Sequence, residues 1–141
     1  MGTSSWTDSS VKTGKTYYYK IKTVVKTQNG EQTNGFSNVK SAKAVPAKTT
    51  LKAKASDAKN VKLTWSKVKG ASGYEIYRSN SKDGKYSKVK TISKGSTTSY
   101  KNGKLKKSTT YYYKIRAYRK VNGKKVYGSY SSVVSVKTKA K

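Results

Sequence analysis

The stretch TYYYKIRAY at residues 110–118 alternates between two sets of side chains with a period of two. One set comprises Tyr111, Tyr113, Ile115 and Ala117, and the other comprises Tyr112, Lys114, Arg116 and Tyr118. Because successive side chains of a β-strand point to opposite faces, this pattern predicts a strand with one face in a hydrophobic core.

A similar stretch, TYYYKIK at residues 16–22, lies 94 residues earlier. FSNV at 36–39 matches YSSV at 130–133 at the same offset. Asn29-Gly30 matches Asn122-Gly123 at an offset of 93 residues, which indicates a one-residue slip in this turn. A period of this size corresponds to a whole domain.

The repeat predicts three segments. Residues 49–141 would be a complete domain, residues 1–44 the C-terminal half of another copy, and residues 45–48, which contain the only proline, the linker between them. A sheet of two or three strands with half a hydrophobic core is marginally stable alone. We expect the strands near 16–27 and 36–44 to form a loose hairpin, to lie against the complete domain, or to be completed by strands of another chain. An arbitrary gene boundary would explain the half copy as well.

The complete copy contains short segments rich in Val, Ile, Thr and Tyr, separated by Gly, Asn and Asp, which is typical of antiparallel strands and turns. About seven strands are predicted, near residues 50–55, 60–66, 73–79, 86–92, 97–101, 110–120 and 126–137. Such a set favours an all-β, antiparallel, two-sheet sandwich. The predicted core residues are Trp65, Tyr74, Ile76, Leu105, Tyr111, Tyr113 and Ile115. In the last strand, Val133, Val134 and Val136 cannot all face one way.

On three segments the second copy resembles a fibronectin type III domain of the kind found in tandem in surface and secreted proteins of Gram-positive bacteria. These are VKLTW at 61–65, GYEIYR at 73–78, and TSY at 98–100 with the strand at 111–117. The resemblance implies a seven-stranded immunoglobulin-like β-sandwich.

The resemblance also implies a tyrosine corner, in which the hydroxyl of Tyr111, six residues after Leu105, bonds to upstream backbone. Val11 and Tyr17 repeat this spacing. Residues 106–108 stand where the family usually has a proline in this turn. For function, the resemblance implies a non-catalytic spacer or adhesion module of a larger bacterial protein, located at the cell surface or outside the cell.

Composition excludes most enzyme chemistry. The chain has neither His nor Cys, so Cys/His zinc sites, disulfides and His-assisted nucleophiles are impossible. Five acidic residues leave little for metal binding or acid–base catalysis. We therefore expect no catalytic residue, metal or cofactor. No apolar run is long enough to span a membrane, and the start of the chain lacks the apolar stretch of a signal peptide. A chain that works outside the cell would therefore be a piece of a longer exported protein or would use another export route.

The 33 Lys and Arg residues give a net charge of +28 and are spread through every strand and turn. Lys is a hydrated point charge, so binding of a polyanion such as teichoic acid, nucleic acid or a membrane surface would be diffuse and salt-dependent. The alternative is a solvated exterior whose Lys residues protect edge strands from aggregation.

A candidate ligand surface follows from the outward parity of the aromatic strands. It comprises Tyr112, Tyr118, Lys114, Arg116 and Tyr77, which could stack on sugars or bases. The simpler interpretation is that outward Tyr residues pair with neighbouring strands and with Lys stems. The expected partners are therefore neighbouring domains of a longer chain, an anionic cell-wall polymer or a glycan, and a chain that completes residues 1–44.

Overall fold

The computed structural model describes residues 5–141, and every regular element in this range is a β-strand. The chain divides into two compact units, Met1–Ala44 (unit 1) and Val45–Lys141 (unit 2). Residues 1–4 of the predicted half copy lie outside the described residues. Unit 1 contains β1 (Thr16–Tyr19), β2 (Val24–Thr27), β3 (Gly30–Thr33) and β4 (Lys40–Lys43). In the described part of the chain, no helix has the length and apolar character needed to cross a bilayer.

Unit 2 contains two antiparallel sheets. Its strands are β5 (Leu51–Ala55), β6 (Val61–Trp65), β7 (Gly73–Ser79), β8 (Ser87–Ile92), β9 (Ser99–Asn102), β10 (Thr110–Val121), β11 (Lys124–Tyr127) and β12 (Val134–Lys137). One sheet has the order β5-β6-β9; the other has the order β11-β10-β7-β8, with β12 also paired to β10. The predicted all-β antiparallel sandwich is confirmed.

The predicted last strand at 126–137 is two strands, β11 and β12, which pair with the same edge of β10. Between the pairs Tyr118–Tyr127 and Tyr113–Val134, β10 advances five residues and its partner seven. The two extra residues break the ladder and change the facing of the side chains. Val133 is accordingly 37% exposed, while Val134 and Val136 pack against the core.

The core of unit 2 lies between the two sheets. It includes Trp65, Tyr74, Ile76, Leu105, Tyr111, Tyr113 and Ile115, all of which are buried. The rings of Trp65 and Tyr74 lie 5.4 Å apart in a tilted arrangement. Each aromatic side chain removes a large apolar area from water, which allows a chain with few aliphatic residues to form a stable interior.

The tyrosine corner is present in both units. The hydroxyl of Tyr111 accepts a hydrogen bond from the N–H of Lys106 at 3.0 Å, and that of Tyr17 accepts one from Lys12 at 2.9 Å. The turn that precedes each Tyr contains a residue with positive φ, Ser108 at 51° in unit 2 and Gly14 at 88° in unit 1. Unit 2 therefore forms this turn without proline, and Ser108 adopts a left-handed conformation that is unfavourable for residues other than glycine.

Within the residues that the structure describes, the strands of unit 1 are counterparts of β10, β11 and β12 only. β1 pairs with β4 and β2 with β3, as the two halves of β10 pair with β12 and β11 in unit 2. The predicted one-residue slip is wrong. Thr27 pairs with Gly30, and Val121, 94 residues later, pairs with Lys124, so each hairpin has a two-residue turn and the offset stays constant.

The predicted linker residues 45–48 lie within unit 2. Pro46 is buried, and its carbonyl oxygen occupies the space that a side chain at position 128 would need. Gly128 is thus required by this close approach of two backbone segments.

Candidate functional site

The candidate site is the outer face of the five-stranded sheet of unit 2, formed by side chains that point away from the core. On β10, Tyr111, Tyr113 and Ile115 point inward, so the residues between them point outward. The register places Arg116 opposite Glu75 and Lys114 opposite Tyr77 on β7. Cross-strand neighbours of this kind are close enough to bond.

Glu75 is the centre of this face and is only 1% exposed. Its carboxylate oxygens bond five groups: Arg116 Nη2 at 3.1 Å, Lys125 Nζ at 3.1 Å, Lys88 Nζ at 3.4 Å, and the hydroxyls of Tyr77 at 2.7 Å and Tyr127 at 3.3 Å. These donors come from β7, β8, β10 and β11. One carboxylate therefore ties together four strands of the sheet.

The charge of Glu75 is stabilised in place. Burial alone would raise the pKa of its carboxyl group, but hydrogen bonds from Tyr77, Arg116 and Lys125 outweigh this and lower the pKa from 4.5 to about 2. In turn, burial and the bond to Glu75 raise the pKa of Tyr77. At neutral pH the site holds one carboxylate and three cations.

Aromatic rings enclose the cations of this face. The Arg116 guanidinium carbon lies 3.6 Å from the ring centre of Tyr127 and 4.8 Å from that of Tyr130. Lys114 Nζ lies 4.1 Å from the ring centre of Tyr130 and 4.5 Å from that of Tyr86. Cation–π contacts of this kind stabilise a charge that is partly removed from water.

The prediction that Tyr118 belongs to the exposed ligand surface is wrong. Tyr118 was expected to be exposed on this face, but only 1% of it is exposed, and its hydroxyl donates to the carbonyl of Ile92 at 3.2 Å. The reason lies in Gly73, which faces Tyr118 across the sheet and leaves room for the phenol ring. A glycine opposite an outward aromatic residue was the sequence signal for this burial.

The other predicted ligand residues divide into two groups. Tyr77 and Arg116 contact each other and Glu75, so their polar atoms are engaged within the protein. Tyr112 and Lys114 are half-buried and make no bond to Glu75. This pair therefore lies outside the hydrogen-bonded network of Glu75, and Lys114 is held between two tyrosine rings.

Sequence reasoning missed Glu75, Lys125, Tyr127 and Tyr130 as members of the site. Period-two alternation places Glu75 on the same outward face as Tyr77. The three cations that bond Glu75 lie 13, 41 and 50 residues from it in the sequence. Only the strand register brings them together. Within residues 5–141, no cluster of acidic side chains is suited to holding a metal ion.

Solved structures resemble this chain. An Fn3-like protein from Clostridium thermocellum is 29% identical, with a TM-score of 0.54, over 67% of this chain and 92% of that protein. A human fibronectin type III domain is 26% identical, with a TM-score of 0.51, over 68% of this chain and 72% of the domain. The FN1-FN3 segment of chicken CNTN1 matches 94% of this chain and 46% of its own length, with 22% identity and a TM-score of 0.58, which shows likeness of fold alone. No protein-family model matches the chain, and neither does any curated protein sequence.

Proposed function

We propose, from the premise that unit 2 is a fibronectin type III domain, that the chain is a non-catalytic structural module of a larger bacterial protein. Such a module spaces and presents neighbouring domains, at the cell surface or outside the cell. Its lysine-rich exterior would hold the chain near anionic polymer only weakly. The partners would be neighbouring domains, an anionic wall polymer or glycan met in passing, and a chain that completes unit 1.

The bonding around Glu75 is the observation that carries this proposal. Its buried carboxylate pairs with Arg116, Lys125 and Lys88 within the domain, so a ligand that engages these cations must compete with Glu75 for them. The same bonds connect four strands and oppose distortion of the sheet. A sheet face whose charged groups bond one another is more typical of a spacer than of a ligand-binding domain.

Retention on an immobilised polyanion tests this proposal. We expect the chain to bind a poly(glycerol phosphate) surface at low ionic strength and to elute below about 0.15 M salt, because exposed charges are then screened. Saturable binding tighter than millimolar at that salt concentration would contradict the spacer role.

A second candidate function is a polyanion- or carbohydrate-binding module, and one observation favours it. Lys114 lies between the rings of Tyr86 and Tyr130 on a surface that also carries Tyr112, so a cation and aromatic faces are presented together. This role predicts binding at physiological salt that is lost in Lys114→Ala and in Tyr112→Ala. Lys120→Ala, an exposed change on the same strand, is the matched control.

A further inference from the structure

Unit 1 reproduces the local hydrogen bonds of residues 99–138. The Tyr19 hydroxyl donates to Asp8 as Tyr113 donates to Asn102, at 2.9 and 2.8 Å. The N–H of Ile21 donates to the hydroxyl of Ser37 at 3.0 Å, and that of Ile115 donates to Ser131 at 3.1 Å. Together with the repeated tyrosine corner, these bonds give unit 1 the conformation of the second half of the domain.

The apolar side of unit 1 is nevertheless open. Ile21 is 74% exposed, whereas Ile115, its counterpart 94 residues later, is completely buried. Tyr17 and Tyr19 are half-buried, while their counterparts Tyr111 and Tyr113 are buried in the core of unit 2. A groove of about 680 Å³ lies here, lined by apolar residues that include Trp6, Val11, Tyr17, Tyr19, Ile21 and Ala42. We call it the unit 1 groove.

Unit 2 shows what covers these positions in a complete domain. Its inward-facing second-half residues pack against Leu63, Trp65 and Ile76, all of which belong to the segment 49–98. An exposed apolar groove of this kind is unfavourable in water, so a partner that covers it is favoured.

The backbone of β1 is open as well. In unit 2, both edges of β10 are paired, one with β11 and β12 and the other with β7, from Tyr112 to Tyr118. Within the described residues, β1 pairs with β4 only. Its other edge therefore presents backbone N–H and C=O groups to which an antiparallel strand can be added.

We propose that the unit 1 groove binds a partner polypeptide with the chemistry of residues 49–98, which is the first half of the same kind of sandwich. A strand equivalent to β7 would pair with the open edge of β1, and a Trp equivalent to Trp65 would enter the groove. A single partner of this kind satisfies both the open edge and the apolar side, and it would repeat in unit 1 the packing between the two halves of unit 2. This inference rests on the proposed role as a module in an assembly of such domains.

A complementation experiment with the full chain tests the inference. The probe is a polypeptide of residues 45–98, added to the ¹⁵N-labelled chain, and the measurement is hydrogen exchange of the β1 amides. We expect a 1:1 complex in which these amides exchange at least tenfold more slowly. Unchanged exchange, or protection in the chain without probe together with dimer formation, would overturn the proposal, the latter in favour of a second copy as the occupant.

Two exposed substitutions sharpen this experiment. Ile21→Lys places a charge in the groove and is expected to abolish binding of the probe. Val39→Lys is the matched control, since its counterpart Val133 remains 37% exposed in the complete domain, and it is expected to bind normally. Equal behaviour of the two variants would refute the proposed surface.

A fused chain provides a second measurement in case the probe aggregates. Residues 45–98 placed ahead of residue 1 should protect β1 within one molecule, and Ile21→Lys should remove that protection. If β1 exchanges equally fast in both fused chains, the proposal fails. Neither change touches the outer face of unit 2, so polyanion retention reports on the proposed function independently.

Discussion

The phenol oxygen of Tyr111 lies 3.0 Å from the backbone nitrogen of Lys106 and accepts its hydrogen bond across the turn that joins the two sheets. Tyr17 and Lys12 form the same bond at 2.9 Å in a unit that contains only half of the strands. The corner is thus a local structure, specified by residues within one turn. Its presence does not depend on completion of the sandwich.

Removing the hydroxyl of Tyr111 should weaken unit 2. Tyr111→Phe keeps the buried ring but leaves the Lys106 N–H without its acceptor, so we expect a loss of about 1–3 kcal/mol in the free energy of unfolding. Urea denaturation followed by the emission of Trp65 measures it. Tyr112→Phe is the control, because that hydroxyl makes no hydrogen bond in residues 5–141, and equal losses in both variants would contradict the role of the corner.

Glu75 should make stability depend on pH. Its pKa in the folded protein, about 2, is below its usual value of 4.5, so its ion pairs stabilise the fold above pH 4.5 and are lost as the pH falls towards 2. We expect Glu75→Gln to lower the free energy of unfolding by about 3 kcal/mol at pH 7 and by little near pH 2. Thermal unfolding across this range measures the difference.

Asp83→Asn is the control for the pH experiment. Asp83 is exposed in a turn and makes no ion pair within the described part of the chain, so its variant should differ little from the unaltered protein at either pH. A Glu75→Gln variant that is equally destabilised at pH 2 and pH 7 would show that shape, and not charge, is the contribution of this side chain.

Ser108→Gly should stabilise unit 2. Ser108 has a φ of 51°, a left-handed conformation that costs an L-residue about 1–2 kcal/mol, and unit 1 has Gly14 at the equivalent position. Because glycine loses more backbone entropy on folding, we expect a net gain of about 0.5–1 kcal/mol. The melting temperature measures it. Lys107→Gly, next to it in an exposed position without positive φ, should give no gain, and a gain there would contradict the explanation.

Much of the fold could be predicted from the sequence, because the patterns that indicate strands and turns are local. Period-two alternation predicts β6, β7 and β10 to within one residue, and the resemblance to fibronectin type III domains at Leu105 and Tyr111 predicts the corner. The position of the break between β11 and β12 could not be predicted, since it depends on two extra residues opposite β10. The conflicting parity of Val133, Val134 and Val136 indicates an irregularity in this segment but not where it lies.

The candidate site could be predicted only in part from the sequence, because its contacts join residues of different strands. Parity alone assigns Tyr118 to the outer face, yet its exposure depends on Gly73 in a strand 45 residues earlier. The partners of Glu75 depend in the same way on the pairing of four strands. Which residues point outward can be deduced from one strand, but what surrounds them requires the register of several.

Equivalent isoleucines in the two units should differ sharply in their contribution to stability. Ile115 is completely buried between the sheets and Ile21 is 74% exposed, although the sequence around them is nearly the same. Ile115→Ala should lower the free energy of unfolding of unit 2 by about 2–5 kcal/mol, because a cavity is left in a packed core. Ile21→Ala should change the free energy of unfolding of unit 1 by less than about 0.5 kcal/mol. Hydrogen exchange of the β10 amides measures the first loss and that of the β1 amides the second, because each strand reports on the unit that contains it. Equal losses would mean that Ile21 is already covered in solution. The open side of unit 1 would then have an occupant before any partner is added.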